Sequence, residues 1–151
     1  MRGRTKTDWW GLVLEAPDGA ALAQFYSELF GWPIAKEDPS GAAIQVPGTS
    51  SYIAFNTSDG YLPPVWPAQD GQQQMMVHID IAVDDLAPAV ADAVALGATV
   101  ASFQPQDDVR VLLDPAGHPF CLYLDVDTTE GRTAGASASE SGTSADPSSG
   151  G

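Results

Sequence analysis

The stretch from Met75 to Asp85 contains the residues of this chain whose types and spacing best suit chemistry. In an extended segment side chains alternate between two faces, so His78 and Asp80 project to the same side. An imidazole beside a carboxylate can transfer protons near neutral pH, hydrogen-bond an organic ligand or coordinate a metal ion. A structural histidine bonded to Asp80 or to a backbone carbonyl is the simpler alternative, and the residues alone leave these possibilities open.

A second group of candidates lies on the predicted last strand. Cys121 and Tyr123 share one face of residues 120–124, and the opposite face is apolar. If that apolar face packs on a helix, both side chains line the same space as His78. Glu15 is a further acid that could reach this space, and an inert, buried cysteine is the alternative for Cys121.

Two other charged or titratable residues need separate consideration. Between residues 9 and 126 the basic residues are Lys36 and Arg110. Arg110 either pairs with one of the many carboxylates or recognises an anionic group of a ligand. His118 ends the turn that begins at Asp114, and we expect it at the surface, where its hydrogen bonds hold that turn together.

Two similar units position these candidates. In the first unit, a strand over residues 9–16 precedes a helix that Asp18 caps and Gly31 ends. In the second, the strand over residues 75–85 precedes a helix that Asp84 or Asp85 caps and Gly97 ends. Short strands follow each helix, at residues 32–36, 42–46 and 51–56 in the first unit and at 99–103, 109–113 and 120–124 in the second. The sequence therefore predicts an α+β fold of two βαβββ modules.

The boundaries of the domain follow from changes in composition. We expect a loose arm over residues 1–8, a domain over 9–126 and a disordered tail rich in Ser, Gly, Ala and Thr over 127–151. Within the domain, module 1 covers about 9–62 and module 2 about 75–126. The prolines and glycine of the segment between them, about 63–74, are unsuited to a central strand, so this segment is predicted to be a linker.

Composition narrows the classes of function. The net charge is -14 and the pI about 4.1, so neither nucleic acid nor an anionic membrane surface is an expected partner. A single cysteine excludes an intramolecular disulfide. The chain has no apolar run of about 18 residues and no apolar signal segment. We expect a soluble cytoplasmic protein that is a monomer or a homodimer.

The combination of these motifs resembles the vicinal oxygen chelate superfamily, which includes glyoxalase I, the bleomycin-resistance proteins and the extradiol dioxygenases. It is most similar to the uncharacterised glyoxalase-like proteins of that group. The features that carry the resemblance are the two βαβββ units, Phe25-Tyr26 and Leu29-Phe30-Gly31-Trp32 in the first helix region, His78, and the turn Asp114-Pro115-Ala116-Gly117-His118. It covers residues 9–126 and implies a cupped, mainly antiparallel sheet with its helices on the outer face.

The resemblance also implies where a metal ion would be held. Metal-dependent relatives take ligands from the opening strand of each half and a glutamate from a closing strand. His78 matches the second-half position, whereas the first-half position falls on Gly11 or Leu12 and the closing-strand glutamate is replaced by Cys121. A complete metal site is therefore not expected and no cofactor is required, although a divalent metal is possible with an altered ligand set.

Three functions are consistent with this sequence. The first is binding of a small organic molecule in the cup, with His78, Asp80, Arg110, Cys121, Tyr123 and Glu15 as candidate contacts. The second is a metal-dependent lyase, isomerase or dioxygenase with an altered ligand set around His78. The third is a scaffold or oligomerisation module without a ligand.

Overall fold

The structure is a computed structural model that describes Arg2 and residues 10–124. The predicted disordered tail and, apart from Arg2, the predicted arm lie outside the described residues. The elements in chain order are β1 (Gly11–Ala16), α1 (Gly19–Phe30), β2 (Ile34–Asp38), β3 (Gly41–Gln45), β4 (Tyr52–Thr57), β5 (Ile79–Val83), α2 (Leu86–Ala95), β6 (Thr99–Val100), β7 (Val109–Leu113) and β8 (Pro119–Leu124).

The strands form two four-stranded sheets of the same topology. The first sheet has the order β1-β4-β3-β2 and the second has the order β5-β8-β7-β6. In each sheet the opening strand pairs in parallel with the closing strand, and the other neighbours are antiparallel. This confirms the prediction of an α+β fold built from two βαβββ modules.

Both helices begin at aspartates. Asp18 accepts a hydrogen bond from the Ala21 N–H at 2.9 Å, and Asp85 accepts one from the Ala87 N–H at 3.0 Å. These bonds satisfy backbone donors that have no partner within the first helical turn. Gly31 ends α1 in the left-handed conformation, with φ of 67°. The two caps also fix the correspondence between the modules, because Asp85 is the residue 67 positions after Asp18.

The same shift relates the strand registers of the two modules. Leu12 pairs with Ile53 in the first sheet, and the residues 67 positions later, Ile79 and Phe120, pair in the second. The modules are therefore superposable in register along their parallel strand pairs. Each residue of β1 or β4 has a defined counterpart in the second module.

One hydrophobic core serves both modules. Tyr26 of α1 stacks on Phe55 of the first sheet at a centroid distance of 5.2 Å and meets Phe120 of the second sheet edge-on at 6.2 Å. Phe25 also contacts Phe120, at 6.0 Å. Aromatic pairs of this kind add about 0.5–1.5 kcal/mol each to the free energy of burial. Helix α1 thus joins the two sheets into one packing unit.

Strand β5 covers Ile79–Val83 and is shorter than the predicted strand over residues 75–85. Residues 75–78 lie before it. The ladder between β5 and β8 begins at the pair Ile79 and Phe120, so the next partner for His78 would be Pro119. Proline has no N–H to donate to a ladder. The predicted alternation is nevertheless present, since Ile79 and Ile81 pack against the core while Asp80 is exposed.

The segment between β4 and β5, residues 58–78, forms no helix or strand. It lies against the second module, where the Trp66 indole N–H donates to the Phe103 carbonyl at 3.1 Å. Within the described part of the chain, no helix has the length and apolar character needed to cross a membrane.

Candidate functional site

Three potential ligand groups converge on the face of the second sheet that carries no helix. The donor atoms of His78, Asp80 and Cys121 all lie within 4.8 Å of one another. Asp80 on β5 is directly opposite Cys121 on β8 in the strand register. The His78 Nε2 atom lies 3.2 Å from the Asp80 Oδ1 atom. Alternation along β5 and β8 places Asp80 and Cys121 together, as the sequence predicts, and His78 lies in the segment directly before β5.

These three residues line a cavity of about 290 Å³. Tyr123 lines it too, so the structure brings together four of the six predicted contact residues. Asp108, from the segment before β7, adds a second carboxylate to the wall. The cavity offers carboxylate acceptors, an imidazole, a thiol and a phenol to a ligand. Asp108 was not predicted, because its position depends on how the 104–108 segment folds back over the sheet.

Cys121 is held as a neutral thiol. Burial raises the pKa of Cys121 to about 11, and the negative charge of Asp80 together with a hydrogen bond to its side chain adds to the rise. The thiolate is the nucleophilic and metal-ligating form of cysteine. At neutral pH this residue is therefore a weak hydrogen-bond donor, and it ligates a cation only if it loses its proton.

The first module lacks the corresponding donors. The shift of 67 residues makes Gly11 the counterpart of His78, which decides between the Gly11 and Leu12 alternatives. A Cβ atom on Gly11 would lie 2.5 Å from Cζ of the Tyr52 ring, so Tyr52 occupies the space that a ligand side chain would need. The counterparts of Asp80 and Cys121 are Val13 and Ala54. A ligand set shared between both modules therefore does not fit this chain.

Arg110 lies on the opposite side of the second sheet from His78. It pairs with Leu122, whose side chain is buried in the core, so its side chain leaves the sheet on the helix side. Within the described residues, its Nη1 group donates to the backbone carbonyls of Val109 at 2.7 Å and Asp107 at 3.0 Å. Arg110 lies on the face of β7 that is directed toward α2. The structure therefore does not bring it to the His78 cavity.

Glu15 also lies apart from the His78 cavity. It is exposed on β1 and lines a different cavity, of about 360 Å³, together with Tyr61 and His118. Its counterpart in the second module is Ala82, which follows Asp80 by two residues on the same face of β5. Glu15 is thus a candidate for a different site.

A buried polar network connects the two modules, and sequence reasoning did not find it. The Asp114 carboxylate accepts hydrogen bonds from the Tyr26 hydroxyl at 3.0 Å and from the backbone N–H groups of Ala116 and His118, both at 2.9 Å. His118 Nδ1 lies 2.9 Å from Asp114 Oδ2, and because a carboxylate only accepts, Nδ1 carries the proton. The expected surface position of His118 is wrong, since it is buried, although it does hold the turn together.

The network extends from His118 to the linker. The Tyr61 hydroxyl lies 3.1 Å from His118 Nε2, within hydrogen-bond distance. Burial and the Asp114 charge raise the pKa of Tyr61 to about 12. The Asp-Pro turn was visible in the sequence, but its partner Tyr26 is far away along the chain. The sequence feature that could have indicated this bond is a tyrosine on the core face of the predicted helix, because a buried hydroxyl needs a hydrogen-bond partner.

A family model described as a glyoxalase-like domain matches residues 11–123. The chain belongs to the glyoxalase-like domain family. This confirms the predicted membership of the vicinal oxygen chelate superfamily. No curated protein matches the chain.

Solved structures of this glyoxalase-like group share the fold at low sequence identity. A glyoxalase/bleomycin resistance protein/dioxygenase family enzyme from Burkholderia phytofirmans PsJN is 20% identical, with a TM-score of 0.55 over 76% of this chain and 95% of that chain. A glyoxalase/bleomycin resistance protein/dioxygenase from Alicyclobacillus acidocaldarius is 17% identical, with a TM-score of 0.53 over 83% and 97%. A glyoxalase-related enzyme from Fulvimarina pelagi is 20% identical, with a TM-score of 0.52 over 76% and 86%. At these identities the likeness establishes the fold alone.

Proposed function

We propose that this glyoxalase-like protein binds a small polar organic molecule on the helix-free face of its second sheet, without a complete metal site. The observation that carries the proposal is the cavity of about 290 Å³ that His78, Asp80, Cys121 and Tyr123 line together. Two carboxylates in the wall, Asp80 and Asp108, favour ligands that carry hydrogen-bond donors. The occupied space at Gly11 supports the absence of a ligand set shared by both modules.

Thermal unfolding in the presence of a library of metabolites and drugs tests this proposal. A ligand at 100 times its Kd stabilises the native state by about 2.7 kcal/mol, which raises Tm by several degrees. Asp80→Asn should reduce the shift produced by a true ligand. Glu37→Gln, an exposed change on β2 outside the cavity, is the matched control and should leave it unchanged. If no compound shifts the wild-type Tm, the scaffold alternative replaces this proposal.

A second candidate function is binding of a divalent transition metal ion by the three donors themselves. Nitrogen, sulfur and oxygen ligands within 4.8 Å of one another suit Zn²⁺ better than Mg²⁺ or Ca²⁺. Three protein ligands also leave a coordination position for water or substrate. A bound ion would supply Lewis-acid activation, as the alternative of a metal-dependent lyase, isomerase or dioxygenase requires.

Metal content of the purified protein, measured by plasma mass spectrometry, separates the two candidates. If the ion is bound, wild-type protein holds near-stoichiometric metal, and His78→Ala and Cys121→Ser lose it. Because the pKa of Cys121 is about 11, binding must release its proton, so Zn²⁺ affinity should rise about tenfold per pH unit between pH 7 and 9. Absence of metal after incubation with Zn²⁺ would eliminate this candidate. The cytoplasmic location, and a monomeric or homodimeric state, stay predictions beside either function.

A further inference from the structure

A second cavity, distinct from that of the proposed function, lies between the two modules. Its volume is about 360 Å³. Residues of β1, of the segment between β4 and β5, and His118 of the second module line it, and it shares no lining residue with the His78 cavity. It is therefore a separate place for a ligand, closed on one side by the linker.

The lining of this cavity carries several polar side chains. Ser58, Gln73 and Gln74 offer neutral groups that can donate as well as accept. The Tyr61 hydroxyl lies 3.1 Å from His118 Nε2, and whichever of the two donates, the hydroxyl oxygen retains a lone pair for a donor of the ligand. Glu15 adds an exposed carboxylate at the same cavity, and no lysine or arginine lines it. The charge of the cavity therefore favours a cationic ligand.

Part of the cavity wall is apolar and exposed. Leu62 is 68% exposed and Met76 is 84% exposed, and Val13 and Val77 of the same lining are exposed as well. Four of the large exposed apolar side chains of the described residues thus surround one cavity. Contiguous exposed apolar surface rimmed by polar groups is typical of a binding site.

We infer that this cavity binds a primary ammonium ion that carries an apolar chain or ring. The ammonium donates to Glu15 and the Tyr61 hydroxyl, and the apolar part packs against Val13, Leu62 and Met76. A net charge of -14 favours the approach of a cation over that of an anion. An anion would be repelled by Glu15.

Titration with 2-phenylethylammonium, followed by ¹H-¹⁵N NMR and calorimetry, tests the inference. We expect shift changes at the amides of Val13, Glu15 and Met76 and no saturable changes around His78. The uncharged analogue 2-phenylethanol should bind about tenfold more weakly, the loss expected for one hydrogen-bonded charge. Phenylacetate should produce no saturable shifts.

Matched variants distinguish binding of the ammonium in this cavity from its non-specific electrostatic attraction to an acidic protein. Glu15→Gln should weaken binding of the ammonium about tenfold, and Tyr61→Phe should weaken it severalfold. Asp70→Asn removes the same charge at an exposed position outside the cavity, and it should leave binding unchanged. Glu15 is exposed, so its replacement does not threaten the fold.

Several results would overturn the inference. They are equal weakening in Glu15→Gln and Asp70→Asn, shifts confined to the His78 cavity, and absence of saturable shifts. Concentration-dependent dimerisation that protects the same amides would assign the patch to a second copy of the chain instead. The proposed function does not depend on the first and third of these results, because the two cavities have no lining residue in common, whereas shifts confined to the His78 cavity would count as binding at that site.

Discussion

At the scale of single residues, Cys121 is the chemically most informative side chain. Because its pKa is about 11, we expect its reaction with a thiolate-specific reagent at pH 8 to be about 100-fold slower than that of an unperturbed thiol. The rate should rise with pH through the region of pH 11. A stopped-flow or absorbance assay with a disulfide reagent measures this directly.

Asp80 provides the matched test, because it is the charged neighbour that raises the Cys121 pKa further. Asp80→Asn should increase the rate about threefold or more at pH 8, since the thiolate fraction increases. Asp108→Asn removes a carboxylate of the same cavity that makes no bond to the thiol, and it should change the rate far less. A thiol that reacts at the ordinary rate in wild-type protein would contradict the placement of Cys121 beside Asp80.

The buried network at Asp114 leads to a prediction about stability. Tyr26→Phe removes one of the donors to a fully buried carboxylate, and we expect a loss of about 1–3 kcal/mol in the free energy of unfolding. Asp114→Ala should cost about 3–5 kcal/mol, because His118 and Tyr26 both lose their partner. Urea unfolding followed by circular dichroism measures both. Asp70→Asn, at an exposed position, is the control and should stay within about 0.5 kcal/mol of wild type.

Part of the site was predictable from the sequence at this scale. Period-two alternation sufficed to place Asp80 and Cys121 on one face, because that property depends only on strand geometry. Arg110 was misplaced among the candidates because the pattern does not show which face of β7 packs against α2. The bond between Tyr26 and Asp114 joins residues 88 positions apart, and no local pattern contains such a pairing.

At the scale of elements, Gly19 marks a close approach between α1 and β4. A Cβ on Gly19 would lie 2.4 Å from the Phe55 carbonyl oxygen, a backbone atom that cannot easily move. Helix propensity alone favours alanine over glycine by about 1 kcal/mol. We expect Gly19→Ala to destabilise instead, by about 1–3 kcal/mol, because the overlap outweighs the propensity. Chemical denaturation measures the sign as well as the size.

Gly60 is the control for this substitution. Its Cβ would meet no atom within 4 Å, so Gly60→Ala should change stability by less than about 0.5 kcal/mol or stabilise slightly. Stabilisation by Gly19→Ala of the same size would show that α1 lies farther from β4 than the structure has it.

Element types and ends were largely predictable, because they rest on local chemistry. Asp18 and Gly31 mark the ends of α1 through a side-chain bond and a left-handed backbone, both of which are legible in the sequence. The start of β5 was not predictable, since it depends on which residue of β8 stands opposite His78. Register between distant strands is a tertiary property.

At the scale of the whole molecule, the shared core predicts cooperative unfolding. Tyr26 and Phe25 bury their rings against both sheets, so neither module can lose its core without exposing part of the other. We expect a single transition in urea, with coincident midpoints for tryptophan fluorescence, which reports on all four tryptophans, and for far-ultraviolet circular dichroism. Two separated midpoints would contradict a common core.

The two-module architecture was predictable because each unit repeats its own local signals. Which faces of the modules meet was not, since the contacts of α1 with Phe120 join segments that share no sequence pattern. The sequence also did not distinguish one cavity from two. The His78 cavity and the second cavity, which Tyr61 lines, are separate because of the shared core and the path of the linker.

The correspondence at a shift of 67 residues has a practical consequence for experiments on this protein. Val13 and Ala54 occupy the same backbone environment in the first sheet as Asp80 and Cys121 do in the second, but without polar side chains. Changes in temperature, salt or pH that act on the sheet itself should affect both sets of backbone amides alike. Ala54 lines neither the His78 cavity nor the cavity between the modules. A difference between Cys121 and Ala54 then reports binding at the His78 cavity, so each molecule carries an internal reference for that measurement.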